Sequence, residues 1–116
     1  MEERKEKEEE VSKIKAIIKR PDEEYGHIAN ISNTLENLQK IVGGKIETLY
    51  LGHGLILIVN EEGKLMNLEP NFRTGRGFFA DTIVGTAILV GQNGEDFGDV
   101  PITFQTWKSL LKGWGN

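Results

Sequence analysis

Apolar residues recur along this chain with two different periods, and the switches between them outline its elements. From Val11 to Lys19 the pattern alternates, with Val11, Ile14, Ala16 and Ile18 set against Lys13, Lys15 and Lys19. Period two with β-branched residues predicts a strand with one wet, basic face. Pro21-Asp22-Glu23-Glu24 predicts a turn, and Tyr25 to Ile31 the returning strand of a hairpin. At Leu35 the period lengthens. Leu35, Leu38, Ile41 and Val42 form one stripe at helical spacing. Asn33 or Thr34 is placed to cap the first turn, and Gly43-Gly44 to supply the left-handed stop.

Alternation returns over Lys45 to Leu51, and Gly52-His53-Gly54 makes a short connection. Leu55 to Asn60 is a nearly continuous apolar run, which predicts a strand covered on both faces. Glu61-Glu62-Gly63-Lys64 ends it as a turn, and Leu65 to Gly77 has no regular period. Asp81 to Val90 reads as one further strand, and Gly91 to Asp96 as a polar turn. Phe104, Trp107, Leu110 and Leu111 repeat the helical stripe and predict a short C-terminal helix. The expected fold class is α+β: a mostly antiparallel sheet of about five strands, with one central helix and a C-terminal helix packed on one face.

Charge divides the chain into a tail and a domain. Residues 1–10 hold six Glu against Arg4, Lys5 and Lys7, and the remaining 106 residues are near neutral. A segment with no apolar residue after Met1 has nothing to bury, so 1–10 is expected as a solvated tail and 11–116 as a single domain. The net charge of −4 argues against general nucleic-acid binding. No apolar run approaches bilayer length and residues 1–7 lack the apolar stretch of a signal peptide, so a cytoplasmic protein without membrane contact is expected. Cysteine is absent, which excludes disulfides and thiolate metal sites.

Most catalytic chemistries lack their residues. His27 and His53 have no ligand partners at metal spacing, and no G-x-S-x-G elbow surrounds Ser12, Ser32 or Ser109. The carboxylate pairs Glu23-Glu24, Glu61-Glu62 and Glu95-Asp96 all fall in polar turns. We therefore expect no enzyme, no catalytic residues, no metal and no cofactor. One stretch stands out. Asn71, Phe72, Arg73, Thr74, Arg76 and Phe78 bring two guanidiniums, an amide, a hydroxyl and two rings into a glycine-containing loop. Arginine forks match phosphate, and aromatic faces stack on bases. The segment reads either as a site for a nucleotide-like ligand or as a surface loop anchored by its phenylalanines.

The run Gln39-x-x-Val42-Gly43-Gly44-x-Ile46-Glu47, with Asn60-Glu-Glu-Gly-Lys-Leu65, Pro70-Asn71 and Asp81-x-Ile83-Val84-Gly85, resembles a family from phages and mobile elements of Gram-positive bacteria, domain of unknown function 3846. The resemblance covers Lys13 to Asp96 and implies a mobile-element context without established catalysis. In that context we expect a binding protein that counters host defence in the host cytoplasm. The ligand is expected to be a cyclic nucleotide held by a homo-oligomer; the alternative is a protein–protein inhibitor of a host factor, with Trp114 as its freest aromatic. Gln39 and Glu47 are read as corner residues satisfying exposed backbone groups, or else as the rim of a pocket.

Overall fold

Strand β1 (Lys13–Lys19) runs antiparallel to β2 (His27–Ser32), with Ile14 opposite Ile31 and Ile17 opposite Ile28. The turn between them closes through the Glu23 N–H on the Arg20 carbonyl at 3.0 Å, as Pro21-Asp22 predicts. The structure, a computed structural model, describes residues 12–75 and 80–116. The tail over 1–10 and the candidate residues Arg76 and Phe78 lie outside the described residues.

Helix α1 (Leu35–Val42) begins at Thr34, whose hydroxyl accepts from the Asn37 N–H at 3.1 Å, and ends at left-handed Gly43. It leads into β3 (Ile46–Gly52), which hairpins onto β4 (Leu55–Asn60) through an exposed His53 in a left-handed turn. Two short strands, β5 (Pro70–Thr74) and β6 (Asp81–Val84), pair with each other in a separate two-stranded sheet. Strand β7 (Ala87–Asn93) then enters between β1 and β4, β8 (Asp96–Gly98) folds back on it, and α2 (Phe104–Gly113) closes the domain. The main sheet has six strands in the order β2-β1-β7-β4-β3, with β8 on the end of β7, and every pairing is antiparallel.

The α+β class and the mostly antiparallel sheet hold. The placement of both helices on one face does not. Every residue of β4 is buried, and alternation divides its side chains between two cores. Leu55, Leu57 and Val59 join Trp107 and Leu111 of α2, whereas Ile56 and Ile58 join Leu38 and Val42 of α1. The helices therefore cover opposite faces, which keeps both sides of a nearly all-apolar inner strand dry. Lys19 also departs from its expected wet face. It is 3% exposed, because the β5–β6 hairpin folds over the end of β1. The region over 65–77 contains β5, and the apolar run over 81–90 is two strands broken at Gly85, whose φ is +73°.

The glycine pair after α1 has separate duties. Gly43 takes the left-handed conformation, and the N–H groups of Gly43 and Gly44 both donate to the Gln39 carbonyl, at 2.8 and 3.0 Å. Gly44 is instead a packing glycine. A Cβ there would lie 2.9 Å from Asn60 Nδ2. The Asn60 side chain is buried, donating to the Val42 carbonyl at 3.2 Å and accepting from the Glu62 N–H at 2.8 Å. Asn60, not Gln39 or Glu47, is the residue whose side chain satisfies backbone groups at this corner. Gly44→Ala is expected to destabilise the fold by about 1–3 kcal/mol, since it displaces a buried amide from its partners. Urea denaturation measures this, and an unchanged midpoint would rule the mechanism out.

Candidate functional site

The candidate residues of β5 divide into those built into the fold and those left at its surface. Asn71 belongs to the first group. Its Oδ1 accepts from Lys19 Nζ at 2.7 Å, and its Nδ2 donates to the carbonyls of Lys19 and Gly85, both at 2.8 Å. Lys19 Nζ also donates to the Glu23 carbonyl at 2.6 Å and lies 5.7 Å from the centre of the Phe72 ring. Burial pushes this ammonium below the ordinary lysine value, against the opposing pull of Glu23 and Asp22. Asn71 is thus a clamp joining β1, β5 and the β6–β7 connection.

Phe72 is buried as well. Its ring meets Trp107 edge-on at 5.4 Å and lies parallel to Trp114 at 6.4 Å. The two tryptophans meet edge-on at 5.9 Å, so Trp114 is half-buried in an aromatic trio and not a free surface anchor. The Trp107 indole N–H finds the Tyr25 carbonyl at 2.8 Å, and Lys108 lies 4.8 Å from the Tyr25 ring centre. Aromatic geometry of this kind adds stability beyond area alone.

Arg73 is exposed, and Thr74 is half-buried. The backbone of Arg73 is held at both ends by one side chain: its N–H donates to Asn116 Oδ1 at 2.9 Å, and its carbonyl accepts from Asn116 Nδ2 at 2.8 Å. Just beyond, Gly75 borders an open depression of about 480 Å³ whose other walls are Thr106, Ser109, Leu110, Gly113 and Trp114. The four described candidates therefore do not line one site. Asn71 and Phe72 face the interior, Arg73 and Thr74 lead to the depression, and Arg76 and Phe78 lie outside the described residues.

A smaller cleft, about 180 Å³, separates β3 and β4 from β6. Leu49, Val59 and Ile83 form its floor, and Glu47, Glu61 and the Lys64–Asp81 ion pair, at 2.9 Å, sit along its walls. Glu47 is thus at a pocket rim, as one of the two sequence readings has it, while Gln39 is not among the lining residues. Near the β1–β2 turn, Glu23 accepts from the Arg20 N–H at 2.9 Å and contacts His27 Nδ1 at 2.7 Å. Burial works against its charged form, but these hydrogen bonds and the charges of His27 and Arg20 hold the carboxyl below its usual value. Among the described residues, no three His, Asp or Glu side chains come together as a metal-binding group, and no helix is long and apolar enough to cross a membrane.

Sequence reasoning missed Trp114, Thr106 and Ser109 as lining residues and Asn116 as the brace of Arg73. Thr106, Ser109 and Gly113 do share one side of α2, at helical spacing, and that periodicity was the available signal. A protein-family model described as a domain of unknown function, DUF3846, matches residues 14–112. No curated protein and no solved structure matches the chain.

Proposed function

Because the chain belongs to the DUF3846 family over residues 14–112, we propose that it is a non-enzymatic binding protein of a phage or mobile element, working in the host cytoplasm against host defence by holding a nucleotide-like signalling ligand. The observation that carries this reading is the depression where Gly75 meets the half-buried Trp114 and the hydroxyls of Thr106 and Ser109. Trp114 offers a flat apolar surface to a base. Arg73, exposed two residues before Gly75, offers a guanidinium to a phosphate, and Arg76 follows in the sequence.

Thermal unfolding against a panel of cyclic nucleotides tests the reading. A ligand at ~100 times its dissociation constant adds ~2.7 kcal/mol, a shift of several degrees for a domain this size. Binding is expected to change tryptophan fluorescence, and Arg73→Ala to remove the shift without altering the melting point of the free protein. A flat response across the panel would end the nucleotide reading. The second reading, a protein inhibitor acting through a sheet edge, is favoured by Ile28, which is 51% exposed on the outer strand β2. Ile28→Asp abolishing capture of a host protein would support it.

A further inference from the structure

Strand β3 is the other outer strand of the sheet, and its geometry is suited to pairing with itself. The Glu61 N–H donates to the Lys45 carbonyl, and the register places Ile46 opposite Asn60. Lys45 and Glu61 are therefore a hydrogen-bonded pair, and antiparallel alternation turns the N–H and C=O groups of Glu47 and Leu49 toward β4. Those of Ile46, Thr48 and Tyr50 point outward. The strand Ile46–Gly52 contains neither proline nor lysine, and its bulge lies at the far end, between Tyr50 and Gly52. Of the devices that usually protect an edge, proline, lysine and a central bulge are missing, and the exposed Glu47 is the strand's one charge. Apolar surface accompanies it: Tyr50 is 63% exposed, and Leu65, which lines the cleft beside Glu47 and Leu49, is 84% exposed.

We propose that a second copy of this chain pairs antiparallel along β3 about a two-fold axis at Thr48. This inference does not depend on the nucleotide reading. In this register all three outward residues find partners, Thr48 with its own copy and Ile46 with Tyr50 of the second copy, a β-branched and aromatic pair of the kind that stabilises sheets. Glu47 faces Leu49 of the second copy. The alternatives are worse. A shift of one pairing step toward the N-terminus sets Glu47 directly against Glu47, and a shift the other way runs the ladder into the bulge. A two-fold axis normal to the sheet keeps the same face upward in both copies, so the two clefts that Glu47 and Leu49 line open side by side.

Sedimentation equilibrium of the full chain, over a wide concentration range, is expected to show a dimer. Thr48→Pro is expected to abolish it while leaving the circular dichroism spectrum intact, since the lost N–H points outward and serves no bond within the chain. The chain has no cysteine, so Thr48→Cys provides a unique probe that forms a disulfide-linked dimer under mild oxidation, whereas Ile28→Cys on the opposite edge does not. A native chain that stays monomeric at every concentration would overturn the proposal. So would a Thr48→Pro variant that still dimerises, or equal crosslinking from the two cysteine positions.

Discussion

Replacing Trp107 with alanine is expected to cost about 3–5 kcal/mol, the range measured for large aromatic deletions in cores. Trp107 is completely buried, touches both other rings of the aromatic trio, and donates to the Tyr25 carbonyl across the β1–β2 turn. Its removal opens a cavity beneath α2 and leaves that carbonyl without its donor. For a domain of this size each kcal/mol lowers the Tm by roughly 4 °C, so the variant should melt about 12–20 °C below the parent. Trp107→Phe separates the two contributions. It keeps most of the apolar contact but not the N–H, and is expected to cost about 1–3 kcal/mol, as an unpaired buried acceptor does. Calorimetry and urea denaturation would show both. A loss below ~1 kcal/mol for the alanine variant would mean that α2 repacks without its anchor.

Asn71→Ala is expected to lower stability by about 2–4 kcal/mol, because it strands three partners at once: the Lys19 ammonium and the carbonyls of Lys19 and Gly85. Asn71→Asp should be nearly as damaging, since it preserves the acceptor for Lys19 but turns a carboxylate oxygen toward two carbonyls. The pair also separates structure from binding. Under conditions where the variants remain folded, any nucleotide-induced melting shift should survive in Asn71→Ala and vanish in Arg73→Ala. If Asn71→Ala instead melted like the parent and lost the ligand response, the amide would be a binding group and its role as a clamp would be refuted.

Elements with short-range causes were legible in the sequence. Both helices follow from local stripes, and α1 also from its local caps; in each the pair four residues apart, Leu38 with Val42 and Trp107 with Leu111, is what the cores bury. The β1–β2 turn likewise needed only Pro21 and Asp22. What escaped depends on distant partners. Strand β5 holds a single buried residue, Phe72, so no alternation announces it between Pro70 and Gly75. The break at Gly85 falls between two apolar stretches, Ile83-Val84 and Ala87 to Val90, that read as one strand; there a Cβ would stand 2.7 Å from Leu68 Cδ1, a contact across the loop before β5. Opposite-face helices were implied by the nearly all-apolar β4, yet stripe patterns alone carry no information about which face a helix takes.

Site residues show the same division. Residue types suited to a ligand were visible in Asn71 and Phe72, but Lys19 and Gly85, which claim the Asn71 amide, lie 52 and 14 positions away. A polar side chain in a glycine-rich stretch looks available until its partners are known. The acidic and apolar walls of the cleft are likewise drawn from β3, β4 and β6, and only the pairing of strands brings them together.

The position of β7 in the sheet sets a condition on synthesis. The hairpins β1–β2 and β3–β4 form from the first half of the chain, yet neither pairs with the other; both wait for β7, which fills the gap between β1 and β4. Until residues 87–93 have left the ribosome, the nascent chain carries two half-sheets with open inner edges and exposed isoleucines. Completion of the core is therefore a late event, governed by long-range pairing and open to competition from neighbouring nascent chains. Ribosomes crowded on one message would meet this vulnerable stage repeatedly, and slow translation between β4 and β7 would prolong it.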